Sequence, residues 1–176
     1  MSVPVRLAAP VSLDDLLLYR LSRLLASAGG MVIRLCEGRF GITRREWRIL
    51  ALLAQDEGLL SSQLAERAQL DRARTSKAIT SLVAKRLLQR RSKPGDRRQA
   101  ALALTEAGRA LYDQLFPLVL EINRELLASL PAGEIQGLDA ALDVLQQRAD
   151  SMMAAAAPEL PKADRRRGAG PGRPRG

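Results

Sequence analysis

The sequence predicts a mainly α-helical protein that carries one small β-hairpin. Apolar residues recur with a helical period through most of the chain. Near residue 90 this period gives way to two short stretches typical of strands, which are separated by a Lys-Pro-Gly-Asp turn at 93–96. The chain has 176 residues, of which 47% are hydrophobic, so it is long enough to bury one substantial core.

The composition excludes several classes of site. The chain has no histidine and a single cysteine, Cys36, so a zinc finger, a histidine-based metal site and a Ser-His-Asp triad are all excluded. No metal or cofactor is therefore expected. The sequence begins with no apolar signal segment and has no apolar run near 18 residues, which predicts a cytoplasmic protein without a membrane anchor.

The positive charge is concentrated in one part of the chain. The net charge is +9, and residues 61–105 hold eleven Lys and Arg against three Asp and Glu. The last 19 residues, 158–176, hold a further six against two. A basic block within an otherwise slightly acidic chain is typical of a domain that binds a polyanion such as nucleic acid.

Two helices are expected before the basic block. Residues 1–12 form an N-terminal arm, and an amphipathic helix begins at Leu13, weakened at Gly29 and Gly30 by about 1 kcal/mol each. A second helix over residues 44–55 has a complete start signal. Thr43 is its N-cap, Glu46 closes a capping box, and Ile42 is placed to pack on Trp47 as a hydrophobic staple.

The basic block itself predicts a winged helix-turn-helix. Ser61 is the N-cap candidate of a short third helix that ends at residue 67 or 68, and Asp71 caps a fourth helix over 72–86. Two short helices joined by a tight turn form a helix-turn-helix. Strands at 87–92 and 98–104 then supply the hairpin, or wing, so that residues 41–104 make up the domain.

Helices continue after the wing. Thr105 caps a helix that runs to about residue 129, with a kink at Pro117, and a last helix covers residues 134–154. Segments 13–40 and 105–154 are thus predicted to be helical regions on either side of the winged domain. Residues 155–176 are rich in Pro, Gly and Arg, which predicts a disordered basic tail.

The fourth helix has the surface expected of a recognition helix. At 100° per residue, Ile79 and Leu82 point to one side and Lys77 to the other. A small, polar and cationic outward face suits a helix that enters the major groove and donates hydrogen bonds to bases and phosphates. The candidate DNA contacts are Ser61, Arg72, Arg74, Ser76, Lys77, Thr80, Ser81, Lys85, Arg90, Lys93, Arg97 and Arg98.

Several motifs together resemble the MarR family of bacterial transcriptional regulators. They are Thr-Arg-Arg-Glu-Trp-Arg-Ile-Leu at 43–50, Leu-Ala at 64–65, Thr-Ser-Lys at 75–77, Pro-Gly-Asp-Arg-Arg at 94–98 and Leu-Ala-Leu-Thr-Glu-Ala-Gly at 102–108. The resemblance covers residues 13–154. It implies a homodimer in which segments 13–40 and 105–154 form an intertwined helical dimerisation region. This dimer would bind a pseudo-palindromic operator on double-stranded DNA and act as a repressor.

The resemblance also assigns roles within the wing. It makes Arg98 the arginine that enters the minor groove and Asp96 the carboxylate that orients it, which suits the enhanced negative potential there. The alternative is that Asp96 only shapes a turn and Arg98 is one of many exposed arginines. One departure from the family pattern is Arg86, where the family usually has glycine at the exit of the recognition helix.

The resemblance implies an effector as well, namely a small aromatic acid such as a hydroxylated benzoate, a cinnamate or a pyridine-carboxylate. A carboxylate ligand needs an arginine beside an apolar slot. The candidates are Tyr19, Arg20, Arg23, Trp47 and Arg48. The staple with Ile42 already explains Trp47 as a core residue. Arg20 and Arg23 could equally form a solvated face or salt bridges of the dimer.

Three alternative functions compete with an effector-responsive repressor. Oxidant sensing through Cys36 is disfavoured because Glu37 is adjacent and there is no second thiol, so a buried structural cysteine is expected. An enzyme is disfavoured because the carboxylates of Asp56 and Glu57 are explained by a solvated turn. A ligand-independent architectural DNA-binding protein is the main alternative to an effector-responsive repressor.

Overall fold

The fold is mainly α-helical with one two-stranded hairpin, which confirms the predicted fold class. A computed structural model describes residues 6–93 and 96–156, without the side chains of residues 92–99. Its elements are α1 (Leu17–Ile33), α2 (Arg44–Gln55), α3 (Ser61–Arg67), α4 (Arg72–Ala84), β1 (Leu88–Lys93), β2 (Asp96–Leu104), α5 (Glu106–Leu127) and α6 (Ala132–Ala156). The chain divides into two compact units between Leu126 and Leu127.

The first helix begins later than the sequence predicts. Leu13–Asp15 form a separate 3₁₀ turn, and α1 starts only at Leu17. The cause is Asp15, whose carboxylate accepts hydrogen bonds from the Ser12 hydroxyl at 2.8 Å and from the amides of Ser12 and Val11. These bonds hold the chain in a tight turn before the helix. At its other end α1 widens into a π-helical turn, Arg34–Arg39.

The second helix confirms its predicted bounds and its capping box. The Thr43 hydroxyl accepts a hydrogen bond from the Glu46 amide at 3.2 Å, and the Glu46 carboxylate accepts one from the Thr43 amide at 2.6 Å. Ile42 and Trp47 both lie in the buried core, as the staple requires. Because both hydrogen bonds of the capping box form, they fix the start of α2 at Arg44.

The helix-turn-helix consists of α3 and α4. Ser61 is the first residue of α3 rather than its N-cap, so its predicted capping role is wrong; the preceding Leu60 amide is instead bound by the Gln63 side chain at 2.8 Å. Gln69 takes a left-handed conformation, with φ of 51°, at the turn. Asp71 caps α4 as predicted, because its carboxylate accepts the Arg74 amide at 2.8 Å.

The wing is anchored to the loop that follows α2. Strands β1 and β2 pair antiparallel, with Leu88 opposite Leu104. The backbone of Leu102 on β2 also accepts a hydrogen bond from the Gly58 amide at 2.9 Å and donates one to the Leu59 carbonyl at 3.0 Å. One core joins these elements, formed by Cys36, Ile42, Trp47, Ile49, Leu50, Leu53, Leu59, Leu64, Ala78, Ile79, Leu82, Leu87, Leu88, Leu102, Leu104 and Leu115.

The exit of α4, the start of the wing and the start of α5 meet at one junction. Arg86 adopts the left-handed conformation, with φ of 58°, at a cost of about 1–2 kcal/mol for a residue other than glycine. Its carbonyl accepts a hydrogen bond from the Thr105 hydroxyl at 2.7 Å. The same hydroxyl caps α5 by accepting the Gly108 amide at 3.0 Å. Arg86 thus adopts at the exit of α4 a conformation that ordinarily favours glycine.

The last two helices extend close to their expected ends. Helix α5 continues past Pro117 rather than ending there, as predicted, and the kink at Pro117 stays a prediction. Helix α6 begins two residues earlier than expected, after Pro131, and none of its residues is buried. The expected tail, 155–176, lies outside the described residues from 157 onward. In the described part of the chain, no helix combines the length and hydropathy needed to span a membrane.

Candidate DNA interface and adjoining cavities

The outward face of α4 is the clearest candidate interface. Thr75, Ala78, Ile79 and Leu82 are buried against the rest of the domain. The opposite side exposes five of the polar and cationic side chains predicted to contact DNA, namely Arg72, Arg74, Ser76, Lys77 and Thr80. Ser61 on α3 and Arg90 on β1 are exposed as well. Cations and hydroxyls on an exposed helix can reach both phosphates and base edges.

The structure corrects the DNA contact that was predicted for Lys85. Its ammonium group donates hydrogen bonds to the Gly41 carbonyl at 2.8 Å and to both carboxylate oxygens of Glu46, at 3.0 and 3.1 Å. The Glu46 side chain is only 3% exposed and that of Lys85 is 36% exposed. Lys85 therefore joins the end of α4 to the start of α2 and is not free for a phosphate.

Glu46 remains ionised at this position. Burial acts to raise the pKa of Glu46, but hydrogen bonds from the Ser81 side chain, the Thr43 amide and Lys85 outweigh it and hold the pKa below its usual value. Ser81 is half-buried and turned toward this carboxylate. One carboxylate thus ties the recognition helix to α2.

The predicted wing contacts lie outside the described side chains. Lys93, Asp96, Arg97 and Arg98 belong to the strands, with Lys93 opposite Asp96. Nothing is described of their side chains. Their roles stay predictions.

A cleft of about 240 Å³ lies between the start of α2 and α4. It is lined by Thr43, Arg45, Glu46, Arg74, Lys77, Ala78 and Ser81. Arg74 is held by Asp71, with Nε 3.1 Å from the carboxylate. Arg45 was not among the predicted contacts, because the spacing of α2 indicates only that this residue faces solvent.

A second cavity, of about 310 Å³, lies between α1 and α2. Its lining is mostly apolar and includes two arginines: Leu25, Gly29, Val32, Arg44, Trp47, Arg48, Ala51, Leu52 and Gln55. Trp47 forms one wall and stacks on Tyr112 of α5, with 5.7 Å between ring centroids. The combination of an aromatic wall and two guanidinium groups suits a planar acid.

The two arginines of this cavity are positioned differently. The Arg44 guanidinium lies over Gly29, where an added Cβ would be 3.1 Å from Nη1, so the glycine makes room for it. Arg48 donates a hydrogen bond from Nη1 to the Ala68 carbonyl, at 2.7 Å. Ala68 closes α3 and begins the turn that leads into α4. Arg48 therefore links the cavity to the helix-turn-helix.

Only two of the five predicted ligand residues line this cavity. Trp47 and Arg48 line the cavity between α1 and α2, and Tyr19, Arg20 and Arg23 do not. Arg23 pairs with Asp14 at 2.9 Å, and Arg20 is exposed. Arg44 was missed, because the pattern of α1 and α2 does not show that Gly29 faces it.

A third cavity, of about 450 Å³, lies between the end of α1 and α5. It is lined by Met31, Arg34, Leu35, Leu118, Glu121, Ile122 and Glu125. Two carboxylates face one arginine there, so its charge disfavours an acidic ligand.

Cys36 is a buried core residue, as predicted. Burial, with a contribution from the charge of Glu37, raises the pKa of the Cys36 thiol to about 11. A protonated thiol is a poor nucleophile at neutral pH. In the described residues, no group of three or more His, Cys, Asp and Glu could hold a metal ion. The two carboxylates that the sequence places in a turn are paired, Asp56 with Arg67 and Glu57 with Arg109.

Comparisons with known proteins agree with this arrangement. The model of the MarR family matches residues 40–99. The HTH-type transcriptional repressor NicR of Pseudomonas putida is 36% identical over 73 residues, which cover 42% of this chain and 46% of that protein. The match therefore spans about half the length of that relative. The homoprotocatechuate degradative operon repressor of Escherichia coli is 29% identical over 100 residues, covering 57% of this chain and 68% of that protein.

A solved structure confirms the fold. The MarR/EmrR family transcriptional regulator from Acinetobacter sp. ADP1 has a TM-score of 0.73 to this chain at 23% identity, covering 80% of this chain and 99% of that one. The family match lies on the helix-turn-helix and the wing, the elements that carry the candidate interface. Over residues 40–99, the chain is similar to the MarR family of transcriptional regulators.

Proposed function

We propose that the protein is a transcriptional repressor that binds double-stranded DNA through α4 and the wing. The observation that carries this proposal is the exposed cationic and hydroxyl face of α4 on a buried helix-turn-helix core. No acidic residue occurs between Arg72 and Lys93. A face without carboxylates meets a phosphate backbone without like-charge repulsion. The names of the two curated relatives, both repressors, support the same function.

The proposal includes a homodimer. Helix α1 exposes large apolar side chains, among them Leu18, Leu24 and Leu25, and α6 exposes Leu142 and Val144. Exposed apolar surface on two long helices is typical of an interface between subunits. A dimer would present two α4 helices to half-sites about one helical turn apart on a pseudo-palindromic operator.

The wing provides a direct test of DNA binding. Arg98→Ala is expected to weaken binding to the operator by about 1–3 kcal/mol, because the substitution removes a guanidinium from the minor groove. Fluorescence anisotropy with duplex DNA from upstream of the protein's own gene measures the affinity. Sedimentation should show an unchanged dimer. An unchanged affinity, or a variant that does not fold, would contradict the role given to Arg98.

The effector is proposed to be a small aromatic acid bound in the cavity between α1 and α2. Arg44 and Arg48 supply the cations for its carboxylate, and Trp47 supplies an aromatic wall. The name of the Escherichia coli relative, which refers to homoprotocatechuate degradation, supports an aromatic acid. The lining gives no preference among hydroxylated benzoates, cinnamates and pyridine-carboxylates.

Arg48 offers a route from the cavity to the DNA interface. Its guanidinium is bonded to the Ala68 carbonyl, next to the strained turn at Gln69. A carboxylate in the cavity would compete for the same donors, since a charged acceptor binds a guanidinium more strongly than a neutral carbonyl does. Loss of the Ala68 bond would loosen the turn that sets the position of α4, which accounts for release of DNA.

Substitutions in the cavity separate effector binding from DNA binding. An effector at 100 times its Kd is expected to stabilise the protein by about 2.7 kcal/mol, and Arg44→Gln should remove most of that gain while leaving operator affinity intact. Thermal melting with a panel of aromatic acids, homoprotocatechuate included, measures this. Arg23→Gln on α1 is the matched control and should respond like the natural sequence. An equal loss in both variants would argue against this cavity.

A further inference from the structure

We propose that the cleft between α2 and α4 binds a phosphate of the DNA backbone, with Arg45 as its main ligand. This inference rests on the proposed function, because it places the cleft beside a helix that lies in the major groove. It adds a contact from α2 to those expected from α4 and the wing. The ligand is a phosphodiester, so the contact is independent of DNA sequence.

The geometry of the cleft provides the first argument. Arg45 comes from α2, whereas Arg74 and Lys77 come from α4, and all three line the same space of about 240 Å³. Cationic side chains from two helices around one small concave site produce a focused positive potential. A phosphodiester can accept two parallel hydrogen bonds from a guanidinium, which fixes its position as well as attracting it.

The carboxylate in the cleft does not oppose an anion. Glu46 also lines the space, but its side chain is 3% exposed and it accepts hydrogen bonds from Lys85 and from the Thr43 amide. Its charge is therefore compensated by Lys85. The uncompensated charge at the mouth of the cleft is positive.

Arg45 is available for this role. In the part of the chain that the structure describes, its exposed side chain forms no ion pair, whereas Arg74 is paired with Asp71. The amides of Arg44 and Arg45 are the first two of α2 and have no acceptor within the helix. These amides and the positive end of the helix dipole add to the attraction that the side chains provide.

The experiment measures how DNA affinity depends on salt. Anisotropy titrations of the whole 176-residue chain with a random-sequence duplex are repeated across a range of salt concentrations. Each phosphate neutralised contributes about 0.9 to the slope of log K against log salt. Arg45→Gln should lower the magnitude of that slope by about 0.9. When the salt concentration is reduced from 1 M to 0.1 M, the affinity of the variant should therefore rise about eightfold less than that of the natural sequence. Arg45→Lys should keep most of the slope.

The control removes the same charge elsewhere. Arg124 lies on α5, and no residue of α5 lines the cleft. Arg124→Gln should therefore leave the slope unchanged. A slope that is the same for Arg45→Gln and the natural sequence would overturn the phosphate site. So would an equal decrease for Arg45→Gln and Arg124→Gln, which would indicate a general effect of charge. Failure of the natural sequence to bind any duplex would instead overturn the proposed function.

Discussion

Replacing Gly108 with alanine is expected to destabilise the protein by about 3 kcal/mol, although alanine ordinarily stabilises a helix. A Cβ atom at this position would overlap the backbone carbonyl of Leu87. That carbonyl cannot easily move, because it accepts a hydrogen bond from the Thr105 amide at 3.1 Å and belongs to the junction with the wing. The substitution must therefore push the first turn of α5 away from the wing.

Urea unfolding of the variant measures the loss of stability. Gly137→Ala is the matched control, because this glycine lies inside α6 with open space where a Cβ would be added. The control should gain up to about 1 kcal/mol from helix propensity. A Gly108→Ala variant as stable as the natural sequence would show that α5 and Leu87 are not in contact as described.

Replacing Lys85 with methionine is the second substitution with a large expected effect. It leaves the Glu46 carboxylate buried without its counter-charge. Breaking a buried ion pair costs about 3–5 kcal/mol, and the partial exposure of Lys85 reduces the expected loss to about 1–3 kcal/mol. DNA affinity should also fall, because the pair fixes α4 against α2.

The dependence on pH identifies Glu46 as the source of this loss. The pKa of Glu46 in the folded protein lies below its usual value, so its contribution to stability is present at neutral pH and is lost as the pH falls through that pKa. Once Glu46 is protonated, the natural sequence has no ion pair and the variant has no unpaired buried charge. The stability difference between Lys85→Met and the natural sequence should therefore narrow as the pH falls from about 7 toward about 4 and below.

Lys77→Met provides the control for this experiment. Lys77 is exposed on the same helix and forms no ion pair with any described residue. Its loss should change stability by less than about 0.5 kcal/mol at any pH. A stability difference for Lys85→Met that stays constant from neutral to acidic pH would contradict the ion pair.

Local sequence signals were sufficient for much of the fold. The second helix could be bounded because Thr43 and Glu46 satisfy each other across one turn, with no help from distant residues. The turn between α3 and α4 and the start of α5 follow from caps of the same kind, at Asp71 and Thr105. Burial of Cys36 could be expected from its place beside Leu35 on the apolar stripe predicted for the first helix, although the structure places it in the π-helical turn after α1.

Contacts between residues far apart in the chain could not be predicted from the sequence. Lys85 has the charge and spacing of a DNA contact, and its bond to Glu46 exists only because the end of α4 lies against the start of α2. Arg44 and Gly29 meet for a similar reason, across α1 and α2. The separate turn before Leu17 forms because the Asp15 carboxylate accepts a hydrogen bond from Ser12. Helical periodicity cannot predict such a side-chain hydrogen bond.

Sequence-specific DNA binding is the central claim, and a competition measurement tests it most directly. A labelled duplex from upstream of the protein's own gene is bound and then displaced, at one fixed salt concentration, either by the same unlabelled duplex or by random duplex of equal length. The account predicts that the upstream duplex competes about a thousandfold better or more. Equal competition by the two duplexes would contradict operator recognition and favour a protein that binds DNA without regard to sequence.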